Sequence, residues 1–283
     1  MALAEAFTIL FLCTLMSFSQ SAIVTNQTIV EISGFSDVIE SANPRRSLNN
    51  GSRIIGGTKA DILNFPYQLS LRYNGSHYGG ASIISSTFAL TTAYCVERGT
   101  DQLSVRAGSN LLNGGIAYVR SARRILVHPR WNTTSNIFDY DVALIEVSKP
   151  FCWKSNVRPV RLPPYGYIVP SDDLATLSGW GQTESGQGSS ELLYTRVPVL
   201  SNEECTRLWP ARNNITDRMI CAGRGIPAAC YGDGGGSLVV NGVLVGISSF
   251  IIRNGCSGGY PEGYTRVAEQ DILAWILASI GSL

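Results

Sequence analysis

The residues of this 283-residue chain that invite a chemical reading begin with Cys230 to Leu238, C-Y-G-D-G-G-G-S-L. One carboxylate, Asp233, sits there among glycines. A glycine-rich loop around an aspartate is common and says little alone. Other short stretches accompany it: R-I-I-G-G at 53–57, T-T-A-Y-C at 91–95, D-V-A-L-I at 141–145 and S-G-W-G at 178–181. M-I-C-A-G follows at 219–223, and G-Y-T-R-V at 263–267 precedes an apolar C-terminal segment. Histidine, the usual proton carrier near neutral pH, occurs only at His77, in H-Y-G-G-A-S, and at His128, in V-H-P.

Taken in order, these stretches resemble the landmarks of the trypsin/chymotrypsin-like serine proteases, the S1 family, over about residues 54–283. In that family a serine hydroxyl attacks a peptide carbonyl, a histidine takes its proton, and an aspartate orients the histidine. Two backbone N–H groups hold the resulting oxyanion. The resemblance puts those two donors at Gly232 and Gly234 and the aspartate at Asp141. The family loop is C-x-G-D-S-G-G-P-L, so Gly234 stands at the nucleophile's place, and Tyr94 stands where T-A-A-H-C has its histidine. A phenol ionises near pH 10 and serves poorly as a general base at neutral pH. The expectation is that Tyr94 projects into the space left at Gly234, or turns its hydroxyl toward Asp141 with Ser249 as second donor. His77 and His128 fall at familiar structural positions and replace no base.

The implied pocket is altered too. Ala228 stands where relatives that cut after Lys or Arg carry an aspartate. Ile251 replaces a glycine that lets substrate backbone lie along the cleft wall, and Glu262 replaces one on the pocket's far wall. Glu262 is expected to fill the pocket by its bulk rather than to supply an acidic floor.

These side chains need a rigid frame. From Ile54 onward, short alternating apolar runs such as 68–72 and 244–248 are broken by Gly, Asn and Pro, which reads as strands. Only 268–280 has helical spacing, with Ile272, Leu273, Trp275, Ile276 and Ile280 on one side. The resemblance implies an all-β fold: two six-stranded antiparallel Greek-key barrels with a C-terminal helix. A hydrophobic share of 45% is ample for a core, and a net charge of +1 gives no reason to expect nucleic acid or a membrane surface as partner. There is no Asp or Glu between Asp101 and Asp139, so calcium or another metal is not expected, nor any cofactor. The same stretch carries Arg106, Arg120, Arg123, Arg124 and Arg130, which either form a basic exosite or, more simply, a solvated face.

The N-terminus reads as a secretory signal over residues 1–21, apolar from Leu3 to Met16 and too short to span a bilayer comfortably. Five N-x-S/T sequons, at Asn26, Asn50, Asn74, Asn132 and Asn214, agree with an extracellular glycoprotein. Residues 22–53 read as a propeptide without a clip domain, with Arg45-Arg46 as a possible second processing site and Arg53-Ile54 as the cut for a trypsin-like activator. In the family the new amino terminus pairs with the aspartate before the nucleophile, here Asp233, which His77 is expected to hold in the uncut zymogen. The resemblance pairs Cys205 with Cys221, a loop of about 15 residues worth roughly 3 kcal/mol, and Cys230 with Cys256. Gly79 occupies the place of the family partner of Cys95. A Cys95–Cys152 bridge, two buried thiols and an intermolecular link all stay open.

With Tyr94 and Gly234 together, the expectation is a chain that is not an enzyme: a secreted pseudoprotease of the kind abundant in arthropods. It would bind an extracellular protein partner (a protease, inhibitor or defence protein) as cofactor, decoy or regulator. The alternative is a trypsin-like endopeptidase with weak or unorthodox residual hydrolysis, since the oxyanion hole and binding alone leave roughly 10³–10⁴-fold over water.

Overall fold

A computed structural model describes residues 39–41, 57–132, 138–183, 185–209, 214–225, 229–252 and 260–281. Backbone contacts divide the chain into Met1–Asp37 and Val38–Leu283, and every described residue lies in the second unit. The signal and most of the propeptide, including Asn26, Asn50, Arg53 and Ile54, therefore lie outside the described residues, as do Ala228 and Cys256.

Fourteen strands are described: β1 (Ile39–Ser41), β2 (Thr58–Lys59), β3 (Gln68–Tyr73), β4 (Ser76–Ile83), β5 (Phe88–Thr91), β6 (Leu103–Ala107) and β7 (Tyr118–Val127). They continue as β8 (Ala143–Val147), β9 (Leu174–Gly179), β10 (Leu193–Leu200), β11 (Met219–Ala222), β12 (Ser237–Val240), β13 (Val243–Ile252) and β14 (Glu262–Arg266). Strands β3-β4-β5-β8-β7-β6 close into one antiparallel barrel. Strands β13-β12-β9-β10-β11-β14 close into a second through the pairing of β13 with β14. The expected all-β double barrel is what the chain forms.

One hairpin in each barrel turns on Asn-Gly. Asn74-Gly75 links β3 to β4 with φ of 51° and 74°, and Asn241-Gly242 links β12 to β13 with φ of 50° and 76°. Two consecutive positive φ values match the right-handed twist of the strands they join, and asparagine and glycine tolerate them best. Alternation then buries Leu69, Leu71, Val105 and Ile145 inside the first barrel, and Leu177, Val199, Ile220 and Val245 inside the second. A third cluster, with Leu90, Leu144, Trp180, Leu244 and Ile276, joins the two barrels.

Helix α1 (Asn202–Leu208) starts at Ser201, whose side chain accepts from the Glu204 N–H. Helix α2 (Gln270–Ile280) is shorter than the 268–280 expected. Glu269 is its extended N-cap and accepts from the Ile272 N–H, and Gly281 ends it at φ 73°. Among the described residues no helix is long and apolar enough to cross a membrane.

The arginine-rich stretch forms no free basic face. Arg106 is 7% exposed and donates to the Leu111 and Gly114 carbonyls, and Arg120 donates to the Pro150 carbonyl. Arg123 and Arg124 both pair with Glu146, and Arg130 pairs with Asp271. The pairing of β7 with β8 brings Glu146 close and helix α2 brings Asp271, both from distant parts of the chain, which local charge counting could not foresee.

Candidate functional site

Asp141 lies just before β8 and is fully buried. The 3-10 turn Tyr94–Val96, which follows β5, points the Tyr94 backbone N–H at Asp141 Oδ1 at 2.9 Å. From the second barrel, Ser249 Oγ in β13 donates to Asp141 Oδ2 at 2.5 Å, and Thr265 Oγ1 donates to the Asp141 carbonyl at 2.7 Å. The expectation that the Tyr94 hydroxyl turns toward Asp141 needs correcting. Its main chain, not its phenol, serves the carboxylate, and the half-buried ring makes no hydrogen bond among the described residues. The Ser249 donor is where the resemblance places it. Burial pushes the Asp141 carboxyl up to about 7, against the pull of Ser249 and the Tyr94 N–H.

The loop from Gly232 to Gly236 leads into β12. Gly80 N–H of β4 donates to the Gly234 carbonyl at 2.7 Å, so the first barrel holds the loop directly. Gly235 N–H donates to the Ser248 carbonyl at 2.8 Å, and Ser248 N–H donates to the Gly236 carbonyl at 2.9 Å. Gly235 has φ 81°, and a Cβ there would run into Thr91 Oγ1 and the Gly80 carbonyl. The loop therefore needs glycine for space as well as for conformation. The N–H groups of Gly232 and Gly234 reach no acceptor among the described residues.

Asp233 is 4% exposed and turns away from that edge. Its Oδ1 accepts from the Gly181 N–H at 2.8 Å and its Oδ2 from the Cys230 N–H at 3.1 Å. A Cβ at Gly179 or at Gly181 would collide with this carboxylate, so both glycines of S-G-W-G serve as its seat. Burial pushes the Asp233 carboxyl up to about 6. A gap of about 10 Å³, room for one water, lies beside it between Ala229, Ser237 and Ser248.

His77 does not hold Asp233. Its Nε2 lies 3.0 Å from the Gly232 carbonyl and its Nδ1 lies 2.9 Å from Ser70 Oγ. Burial lowers its pKa to about 4, so the ring is neutral and fixes the loop by geometry rather than charge.

Glu262 is 6% exposed, receives the Tyr264 hydroxyl at Oε2, and has no partner at Oε1 among the described residues. Burial, ahead of the field of Asp233, pushes its carboxyl up to about 8. Ile251 is buried at 2%.

Cys205 is bonded to Cys221, and Cys152 and Cys230 are both disulfide-bonded. Cys95 is a free buried thiol, so no Cys95–Cys152 bridge forms, and burial pushes that thiol up to about 12. A Cβ built on Gly79 would lie 3.5 Å from Cys95 Sγ but 2.6 Å from the Gly234 carbonyl oxygen. Gly79 thus touches both halves of the site. Asn74, Asn132 and Asn214 are exposed. No cluster of metal-ligating side chains occurs among the described residues.

Reasoning on the sequence missed Thr265, Gly79 and the seat at Gly179 and Gly181. All three act through contacts between barrels or between strand and loop, and no short motif carries that signal.

The arrangement offers two backbone N–H groups with no acceptor among the described residues, and no serine or histidine at the positions that carry out attack and proton transfer in the resemblance. Residues 54–276 match the family described as Trypsin. The chain is 35% identical to Trypsin 5G1 of Aedes aegypti over 228 residues, 79% of this chain and 84% of that protein. It is 36% identical to Trypsin of Simulium vittatum over 233 residues, 79% and 91% of the two chains. With Trypsin alpha of Drosophila melanogaster it shares 35% over 238 residues, 82% and 89%. These relatives overturn the expectation that the chain is not an enzyme, because proteins named as trypsins match it across nearly the whole domain. Tyr94 and Gly234 do not bear on kinship. The chain belongs to the trypsin family of serine proteases.

Proposed function

We propose that this is a secreted trypsin-family protein that holds extended polypeptide in the cleft between its barrels and hydrolyses it weakly by an unorthodox route. The observation that carries this is the Gly232–Gly236 loop, pinned by Gly80 and Ser248, with the N–H groups of Gly232 and Gly234 free of acceptors among the described residues. Such donors stabilise an oxyanion as it forms at no cost of reorganisation. Water is then the attacking group, since Gly234 has no side chain to form an acyl-enzyme. The rate expected is roughly 10³–10⁴-fold over water, far below that of a complete triad. Secretion is supported by the apolar N-terminal stretch and the exposed sequons, and the polypeptide bound is an extracellular protein. We further propose processing by a trypsin-like activator at Arg53-Ile54, with Asp233 receiving the new amine.

The test is turnover of an activated p-nitrophenyl ester and of a peptide library by purified protein cut after Arg53. Slow hydrolysis without a burst, insensitive to a serine-directed fluorophosphonate, is expected. A rate no higher than that of the denatured chain would sink the proposal.

A further inference from the structure

The outer face of the first barrel holds two arginines side by side. Across β3 and β6, Ser70 pairs with Arg106 and Arg72 pairs with Ser104. Directly paired residues share a face, as do residues two apart along a strand. Arg72 and Arg106 are therefore diagonal neighbours, about 7–8 Å apart at the backbone. Their face is the reverse of the one on which Leu69, Leu71 and Val105 enter the core. The 111–114 loop closes over them. Arg72 Nη2 donates to the Leu112 carbonyl and to Asn113 Oδ1, and Arg106 donates to the Leu111 and Gly114 carbonyls. Under this cover Arg72 is 8% exposed and Arg106 7%.

Every one of these acceptors is neutral. Neither guanidinium joins an ion pair among the described residues, and Glu191, opposite Leu111, is taken by Lys59. Burial pushes both guanidiniums below their ordinary range, and the field of Arg106 pushes Arg72 further. Two like charges held together out of water are costly unless an opposite charge joins them. Each also keeps an unused donor. Nothing among the described residues accepts from Arg72 Nη1 or from Arg106 Nε, and neither atom is shut off from solvent.

We propose that Arg72 and Arg106, under the 111–114 loop, form a site for a compact monovalent inorganic anion such as chloride. Arg72 Nη1 and Arg106 Nε supply the donors, and the anion offsets one of the two charges. The near-complete cover favours a single-atom ion over a tetrahedral oxyanion, whose several oxygens need more room and more partners. Hydrolysis plays no part in it.

Arg72 also reaches toward the glycine loop. Its Nε donates to Ser70 Oγ at 3.2 Å, Ser70 Oγ lies 2.9 Å from His77 Nδ1, and His77 Nε2 lies 3.0 Å from the Gly232 carbonyl. A carbonyl can only accept, so Nε2 carries the ring proton and Ser70 donates to Nδ1. Behind burial, the Arg72 charge is among the influences that depress the His77 pKa. An anion beside Arg72 weakens that field, which makes His77 a reporter of the site.

The experiment titrates sodium chloride against sodium gluconate at constant ionic strength, using the full chain isotope-labelled at histidine. Chloride should shift the His77 ring resonances along a saturating curve and leave those of His128 in place. In Arg72→Gln the midpoint should move to roughly tenfold higher chloride, since one charge-assisted hydrogen bond is lost. Arg72→Lys, which keeps the charge, should lie between the two. Sulfate should shift His77 no more than gluconate does. A shift that rises without saturating, or that His128 shares, is general salt screening and would overturn the proposal. An unchanged midpoint in Arg72→Gln would overturn it too, as would saturation by sulfate as readily as by chloride. Should Arg72→Gln not fold, the chloride and sulfate curves of the unchanged chain still decide.

Discussion

Asp141 and Asp233 are both buried carboxylates in one site, and they are held in different ways. Asp141 is reached from both barrels, by the Tyr94 N–H from the first and by Ser249 from the second, while Thr265 fixes its carbonyl. Asp233 is served by two N–H groups of the second barrel alone, from Gly181 and Cys230. Neither has a positively charged partner among the described residues. Hydrogen bonding to donors can keep a buried carboxylate tolerable. The difference teaches that Asp141 has become a tie between barrels, whereas Asp233 anchors a loop.

The largest expected effect follows from that distinction. Asp141→Ala should cost about 4 kcal/mol, since it strands an N–H and a hydroxyl in the interior and loosens the barrels against each other. Asp233→Ala should cost about 2 kcal/mol and leave the inter-barrel contacts intact. Urea midpoints read both. Equal losses would break the comparison.

Next comes Gly79→Ala, whose Cβ would meet the Gly234 carbonyl oxygen at 2.6 Å. Backbone on both sides leaves little room to yield, so about 2 kcal/mol is expected. Hydrogen exchange should quicken at the Gly80 amide, which donates to that carbonyl. Unchanged exchange would show that the first barrel does not hold the loop.

Ser249→Ala is a finer probe of the tie, with about 1 kcal/mol expected. Removing the donor that favours the ionised carboxylate should also raise the Asp141 pKa further above about 7, which carboxyl NMR of the folded chain can follow. A fall would reverse the account of Asp141.

The smallest effect is with pH. Folding raises Asp141 to about 7 and Glu262 to about 8, both above their unfolded values. The folded chain then binds more protons than the unfolded chain, so stability falls as pH rises through these values. His77, lowered to about 4, acts oppositely, but only below its ordinary value of 6.5. Between pH 7.5 and 8.5 the carboxyls dominate. Tm should drop by about 3 °C, roughly 1 kcal/mol at this size, and Glu262→Gln should flatten the slope. A rising Tm would contradict the burial of these groups.

Much of the fold was legible because its signals are local. Alternation marked β3 and the middle of β13, Asn-Gly marked two hairpins, and apolar spacing marked α2 to within two residues at its start. The site was legible as positions, because short motifs keep their order along the chain. The role of Tyr94 was not: a side chain suggests a phenol partner, while a 3-10 turn decides which atom faces the carboxylate. Nor was the fate of the arginines, whose partner Glu146 arrives by the pairing of β7 with β8.

The sequence by itself determined the family frame, the glycine-rich loop with its two N–H donors, and the absence of a hydroxyl at 234 and an imidazole at 94. These are matters of residue identity at ordered positions. Only the tertiary structure decided that Cys95 stays a thiol, that Gly179 and Gly181 seat Asp233, and that Ile39–Ser41 lies on β13. Each of those depends on which atoms meet across strands far apart in sequence, and burial then sets the charge and hydrogen bonding of what has met.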